Sequence, residues 1–248
     1  MRHLLLLLAT LTFSHAVVSI APVEIGKKPG ISGKTEVSFE TKRGNTETDQ
    51  YSVGVRAQYD DNATYVTWGE LSAHYAEASG AKNTNNTYAH IRYIHKLYDQ
   101  KNINYEAFVQ SETNEFTKVE ERFLLGGGVR FHILDQLIGN TYAGIGGFYE
   151  HIDYTTGIDS RENNVRANIY IAYTRDFGDN AEVSYAGYYQ PKVNDSNDYL
   201  LSNGLELEVL IYEKMYLAFK ISYNIDSKPA KDVKRDDFSQ TTSFVYKF

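Results

Sequence analysis

Apolar and polar residues alternate along almost the whole chain. Thr35, Val37, Phe39 and Thr41 share one parity, with Lys34, Glu36, Ser38, Glu40 and Lys42 on the other. Tyr51, Val53, Val55, Ala57 and Tyr59 likewise oppose Ser52, Gly54, Arg56 and Gln58. A strand points successive side chains to opposite faces, so this period of two predicts strands with one apolar and one polar face. The pattern recurs over 65–75, 89–93, 103–110, 119–133, 143–149, 165–174, 181–185, 201–211, 215–223 and 238–248. That makes twelve strands. Trp68 and Val245 fall on the polar parity against type.

Connections predict the topology. Short ones lie at Asp60–Asn62, Asp99–Lys101, Gly178–Asn180 and Glu213–Lys214, and a middle-sized one at Asp135–Gly139. Longer polar ones lie at Glu77–Thr87, Asp153–Asn163, Gln190–Tyr199 and Asp226–Asp237. Alternately short and long connections suit an all-β, antiparallel up-and-down transmembrane barrel with short periplasmic turns and both termini periplasmic. A soluble sandwich or a lipocalin-like barrel also alternates. The two ends of the chain favour the membrane. Met1-Arg2-His3 followed by the apolar run Leu4–Phe13 and Ser14-His15-Ala16 reads as a signal peptide, 1–16, with cleavage at 21 as the second choice. Residues 17–32 read as a short periplasmic lead and 33–248 as the barrel. At the other end Phe244, Tyr246 and Phe248 put aromatics on one face of the last strand, the expected signal for the barrel assembly machinery.

Composition agrees. There are 21 Tyr and 12 Phe, residues that suit a membrane interface, and no cysteine. Mean hydropathy is −0.45, and no stretch after residue 16 could be a transmembrane helix. A barrel reconciles the two, because only one face of each strand meets lipid. The net charge of −7 argues against nucleic acid as a partner, leaving outer-membrane lipid and a small polar solute.

Three segments resemble the YdiY-like family of salt-induced outer membrane proteins, a domain of unknown function. They are Lys42-Arg43-Gly44-Asn45-Thr46-Glu47-Thr48, Leu125-Gly126-Gly127-Gly128-Val129-Arg130, and the stretch from Asp226 to Phe248. The resemblance implies a barrel in the outer membrane and a link to salt or envelope stress. It implies no activity and no catalytic residues.

The inward parity carries both signs: Arg56, Glu70, Arg92, Glu106, Glu120, Arg122, Arg130, Arg166, Glu182, Glu206, Glu208 and Lys220, with His90 among them. In a barrel these line a narrow, porin-like channel for small polar solutes, or else pair across the lumen and fill it. Gly126, Gly128, Gly144 and Gly146 are expected on the lumen side, either sparing space there or making room for bulky neighbours such as Phe148. The histidines are scattered without metal-ligand spacing, so no metal or cofactor is expected. The Asp195-Ser196-Asn197-Asp198 run reads as a solvated loop. A lipid hydrolase is the remaining alternative, but no serine is singled out by a partner, so no enzyme is expected.

Overall fold

In a computed structural model of the protein, the described residues are 23–42, 48–78, 81–97, 102–115, 117–134, 139–155 and 161–248. The expected signal peptide lies outside them. Twelve strands form one closed antiparallel barrel in which each strand pairs with its sequence neighbours and β1 closes on β12. They are β1 (Gly30–Lys42), β2 (Thr48–Asp60), β3 (Tyr65–Ala78), β4 (Ala81–Lys96), β5 (Ile103–Asn114), β6 (Val119–Leu134), β7 (Asn140–Tyr154), β8 (Arg161–Phe177), β9 (Ala181–Lys192), β10 (Asp195–Tyr212), β11 (Met215–Asp226) and β12 (Asp236–Lys247). Closure removes the free edges that an open sheet would expose. All twelve expected strands are present.

The strands run longer than the alternation suggested. The β3–β4 ladder continues to Ala78↔Ala81, the β7–β8 ladder to Asp153↔Arg161, and β9 pairs with β10 out to Lys192↔Asp195. Most of the segments expected as loops at Glu77–Thr87 and Gln190–Tyr199, and both ends of Asp153–Asn163, are therefore strand. Polar sequence does not end a strand whose two faces are both wet, so the apolar face marks only the middle of each element.

Outward positions carry the apolar surface. Val55, Leu71, Ile91, Leu125, Ile145, Ile169, Leu205 and Ile221 are exposed around the waist. Rings lie toward both rims, for example Tyr59, Tyr105 and Phe177 on one side and Phe39, Tyr51, Tyr149 and Tyr223 on the other. Neighbouring rings touch: Tyr65 lies 5.5 Å from Tyr93, and His95 stacks on Tyr105 at 4.9 Å. An aliphatic band between aromatic rows is the exterior that a bilayer requires.

The seam between β1 and β12 is short. Among the described residues its ladder covers Lys34↔Lys247 to Val37↔Phe244. Gly33 and Phe248 extend it by exchanging two backbone hydrogen bonds of 3.0 Å each. The Phe248 ring lies over Gly33, where a Cβ would collide with it. The glycine thus supplies the notch that seats the ring.

Candidate functional site

The lumen holds most of the charged residues expected there, and it sorts them into pairs. On β6–β8 the Glu150 carboxylate is gripped from two sides. Arg122 reaches it at 2.6 Å and Arg166 at 2.6 Å, with the Asn164 amide donating at 3.0 Å. Arg166 also meets Asp198 at 2.9 Å, and Arg122 meets Glu112 at 3.8 Å. Glu150 is 2% exposed, so this belt is out of water. Such pairs are kept by mutual compensation, since an unpaired buried ion costs several kcal/mol. The sequence reading had missed Glu150 and Glu112, although each extends the inward parity of its strand. Asp198, read as part of a solvated loop, is a buried residue of β10.

Toward the end where β1 begins and β12 finishes (the turn end), Lys34 bridges Glu206 at 2.8 Å and Glu208 at 2.6 Å, and Lys247 also pairs with Glu208. Arg92 meets Glu106 at 3.3 Å. Arg56 lies 4.2 Å above the Trp68 ring and Arg130 4.3 Å above Tyr142. His90 stacks between Trp68, at 4.8 Å, and Phe108, at 5.8 Å, and shares a 3.2 Å hydrogen bond with Gln110. Trp68 is therefore inward for a reason: it is a core residue of the lumen, 2% exposed. Glu182 and Lys220 are half-buried inward residues, as is Glu70, which stands opposite Arg56 in the β2–β3 register. Glu120 departs from expectation. A bulge between Val119 and Glu121 shifts the register at the start of β6, and Glu120 is exposed rather than lumenal.

The glycines make room for rings. A Cβ on Gly126 would strike Phe148 and Phe108, and one on Gly144 would overlap the Tyr170 ring. Gly128 and Gly146 stand opposite each other, each too close to the partner strand's backbone for a side chain. Phe108, Leu124 and Phe148 form one buried cluster inside the barrel and Tyr170, Ala172, Ala186 and Tyr188 another. The space spared by glycine is thus filled by aromatics.

Residues 23–28 enter the barrel, where the sequence had suggested only a lead. Val23 packs on Val66, Trp68 and Ile94, with Ile25 against the same cluster. Burying such a side chain is worth roughly 1.5–3 kcal/mol. Polar contacts fix the segment. Arg130 donates to the Val23 carbonyl at 2.8 Å, and Asn140 to the Glu24 carboxylate at 2.8 Å. The buried Asp60 carboxylate accepts from the Gly26 amide at 3.0 and 2.8 Å and from the Lys28 amide at 3.3 Å. Lys27 completes the set with Asp176 at 2.8 Å. Gly26 takes φ +86°, a left-handed conformation that glycine adopts without steric cost.

Cavities remain among the described residues. One of about 90 Å³ adjoins the inserted segment and is lined by Lys28, Lys34, Glu182 and Glu208. One of about 50 Å³ lies at the opposite, loop end, between the Arg122–Glu150 belt and residues Pro229–Arg235 of the β11–β12 loop. That loop crosses the mouth, and Lys118 donates to the Lys231 carbonyl at 2.7 Å. Another, about 70 Å³, lies in the loop half against β1–β5, β11 and β12. Outside the spanning strands, Asp61 caps the β2–β3 turn. Desolvation opposes its ionisation, but amide donation from Thr64, Tyr65 and Ala63 prevails and lowers its pKa to about 2.

No curated protein is detectably similar to this sequence. Among solved structures, an outer membrane channel from Pseudomonas putida F1 superposes with a TM-score of 0.51 at 10% identity, covering 95% of this chain and 100% of that one. The translocator domain of the autotransporter NalP from Neisseria meningitidis gives 0.49 at 12% identity over 88% of both chains. The NanC porin gives 0.47 at 10% identity over 88% of this chain and 98% of that one. At these identities the likeness with the Pseudomonas channel speaks for the fold. Residues 35–248 match the family model described as Protein of unknown function, DUF481, and the chain belongs to that family.

Proposed function

We propose that this is an outer-membrane barrel acting as a narrow conduit for small polar solutes, closed at rest by its own residues 23–28. The apolar waist, the aromatic rims and the polar lumen support the membrane placement. Both termini then face the periplasm, outer-membrane lipid covers the waist, and the strand bearing Phe244, Tyr246 and Phe248 engages the assembly machinery. The reading is of a passive, non-enzymatic barrel. One observation carries the closed-conduit idea: the turn end is stopped by a short segment held chiefly through hydrogen bonds to side chains, not through a ladder. A stopper of that kind can leave without disturbing the wall.

The experiment is a planar-bilayer recording of wild type and of Val23→Asp, which places a charge in the Val66–Trp68–Ile94 cluster and expels the segment. Wild type is expected to be almost silent, and the variant to show small discrete steps. The competing reading is a filled, non-conducting envelope barrel, favoured by the buried Arg122–Glu150–Arg166 belt. A folded Val23→Asp protein that stays silent would establish that reading instead.

A further inference from the structure

The cavity in the loop half gathers polar groups around open space. Its wall carries Glu36, Glu70, Asn86, Glu112 and Lys220, with short Ser52 and Ser72 beside them. Two of its carboxylates have cationic neighbours: Arg122 reaches Glu112 at 3.8 Å and Arg56 stands opposite Glu70. Short side chains keep the space open. Asn86 is 6% exposed, and its Nδ2 has no hydrogen-bond partner among the described residues. An amide donor left unsatisfied in the interior is destabilising. Such a group is retained at a cost unless something supplies the missing acceptor. The charges here are also arranged by side. Among the described residues of the wall the lysine stands on β11, opposite Glu206 of β10, while the carboxylates come from β1, β3 and β5.

We propose that this chamber binds a small zwitterion of amino-acid size that carries an additional hydroxyl or amide oxygen. Its carboxylate meets Lys220, its ammonium meets the carboxylate side, and its extra oxygen accepts from Asn86. The size fits. A cavity of about 70 Å³ holds on the order of five to seven water positions, and serine, with the volume of about three waters, fits within it. The chemistry also selects. A zwitterion answers both the carboxylate side and Lys220, whereas a simple anion or a simple cation answers only one of them and an uncharged polyol neither. The inference deepens the conduit reading by naming the solute class, but binding to the chamber does not require conduction.

The test is equilibrium titration of the full-length protein, folded in detergent micelles, with four probes of similar size: L-serine, ethanolamine, lactate and glycerol. L-serine is expected to bind saturably, with the other three at least about tenfold weaker. Asn86→Leu and Lys220→Met are each expected to weaken L-serine about tenfold, with heat-modifiable gel mobility confirming the barrel. Should Asn86→Leu fail to fold, Asn86→Ser carries the same test. Equal binding of all four probes, no saturable binding of L-serine, or unchanged affinity in folded Asn86 and Lys220 variants would overturn the proposal. A silent bilayer recording together with selective L-serine binding would remove the conduit and leave the chamber standing.

Discussion

The two sides of the lumen obey the same alternation and end up opposite in character. The side formed by β5–β8 is packed below the small cavity under the β11–β12 loop. Gly126 and Gly144 yield their space to Phe108, Phe148 and Tyr170, and Arg122 and Arg166 close on Glu150. The side formed by β1–β4 offers Ser52, Gly54, Ser72 and Asn86 at the same kind of position and keeps a cavity. The difference is one of side-chain length and complementarity. Strand parity decides which residues enter a barrel; the reach and charge of each residue relative to its cross-strand neighbours decide whether the interior closes.

The largest test of that contrast is removal of a carboxylate from each side. Glu150→Leu leaves Arg122 and Arg166 each short of a partner in the buried belt, and is expected to cost about 3–5 kcal/mol. Glu70→Leu, on the open side and half-buried, should cost no more than about 1 kcal/mol. Urea unfolding in lipid vesicles reads both, and equal costs would erase the distinction between the halves.

Next comes a pair of glycines. Gly144→Ala must displace the Tyr170 ring and is expected to cost about 1–3 kcal/mol. Gly54→Ala meets nothing closer than the Ser72 Cβ at 3.8 Å and should stay within about 0.5 kcal/mol. Thermal loss of the compact gel form distinguishes them. If Gly54→Ala proves the worse, the open side is packed by something other than its side chains.

The smallest effect concerns the turn that joins two strands of the open side. Asp61 has a folded pKa of about 2, below its ordinary 3.8. Its contribution is therefore full above pH 3.8 and is lost as pH falls through about 2. Amide exchange at Ala63, Thr64 and Tyr65 should stay slow at pH 3 in wild type and be faster in Asp61→Ala. Equal exchange in the two would show that the turn does not depend on this carboxylate.

How far the sequence could be read follows from the same physics. Alternation is a local property, so twelve strands and their inward residues were legible from Val53, Arg56, Ile169 or Lys220 alone. The ends of β3, β8 and β10 were not, because their polar residues pair by backbone and leave no parity signature. Glu120 shows a second limit: a single bulge turns every inference from spacing that crosses it. A third is distance along the chain. Nothing near Val23 in sequence announces that it will rest on Trp68 and that its carbonyl will receive Arg130. That Gly144 clears a path for Tyr170 is likewise a fact about two strands, invisible in either.

The notch at Gly33 has a consequence for how the barrel forms. The residues it joins lie more than two hundred positions apart, whereas every other strand pair joins chain neighbours. Hairpins close small loops and can zip in sequence. The β1–β12 junction closes the largest loop the barrel contains, and the entropy of bringing its ends together is greatest there. With only a short ladder to offset that, the junction is the last to set and the first to part. The Phe248 ring over Gly33 therefore acts as a latch on a ring-shaped molecule: substituting either residue should slow completion of the barrel far more than it alters the finished wall.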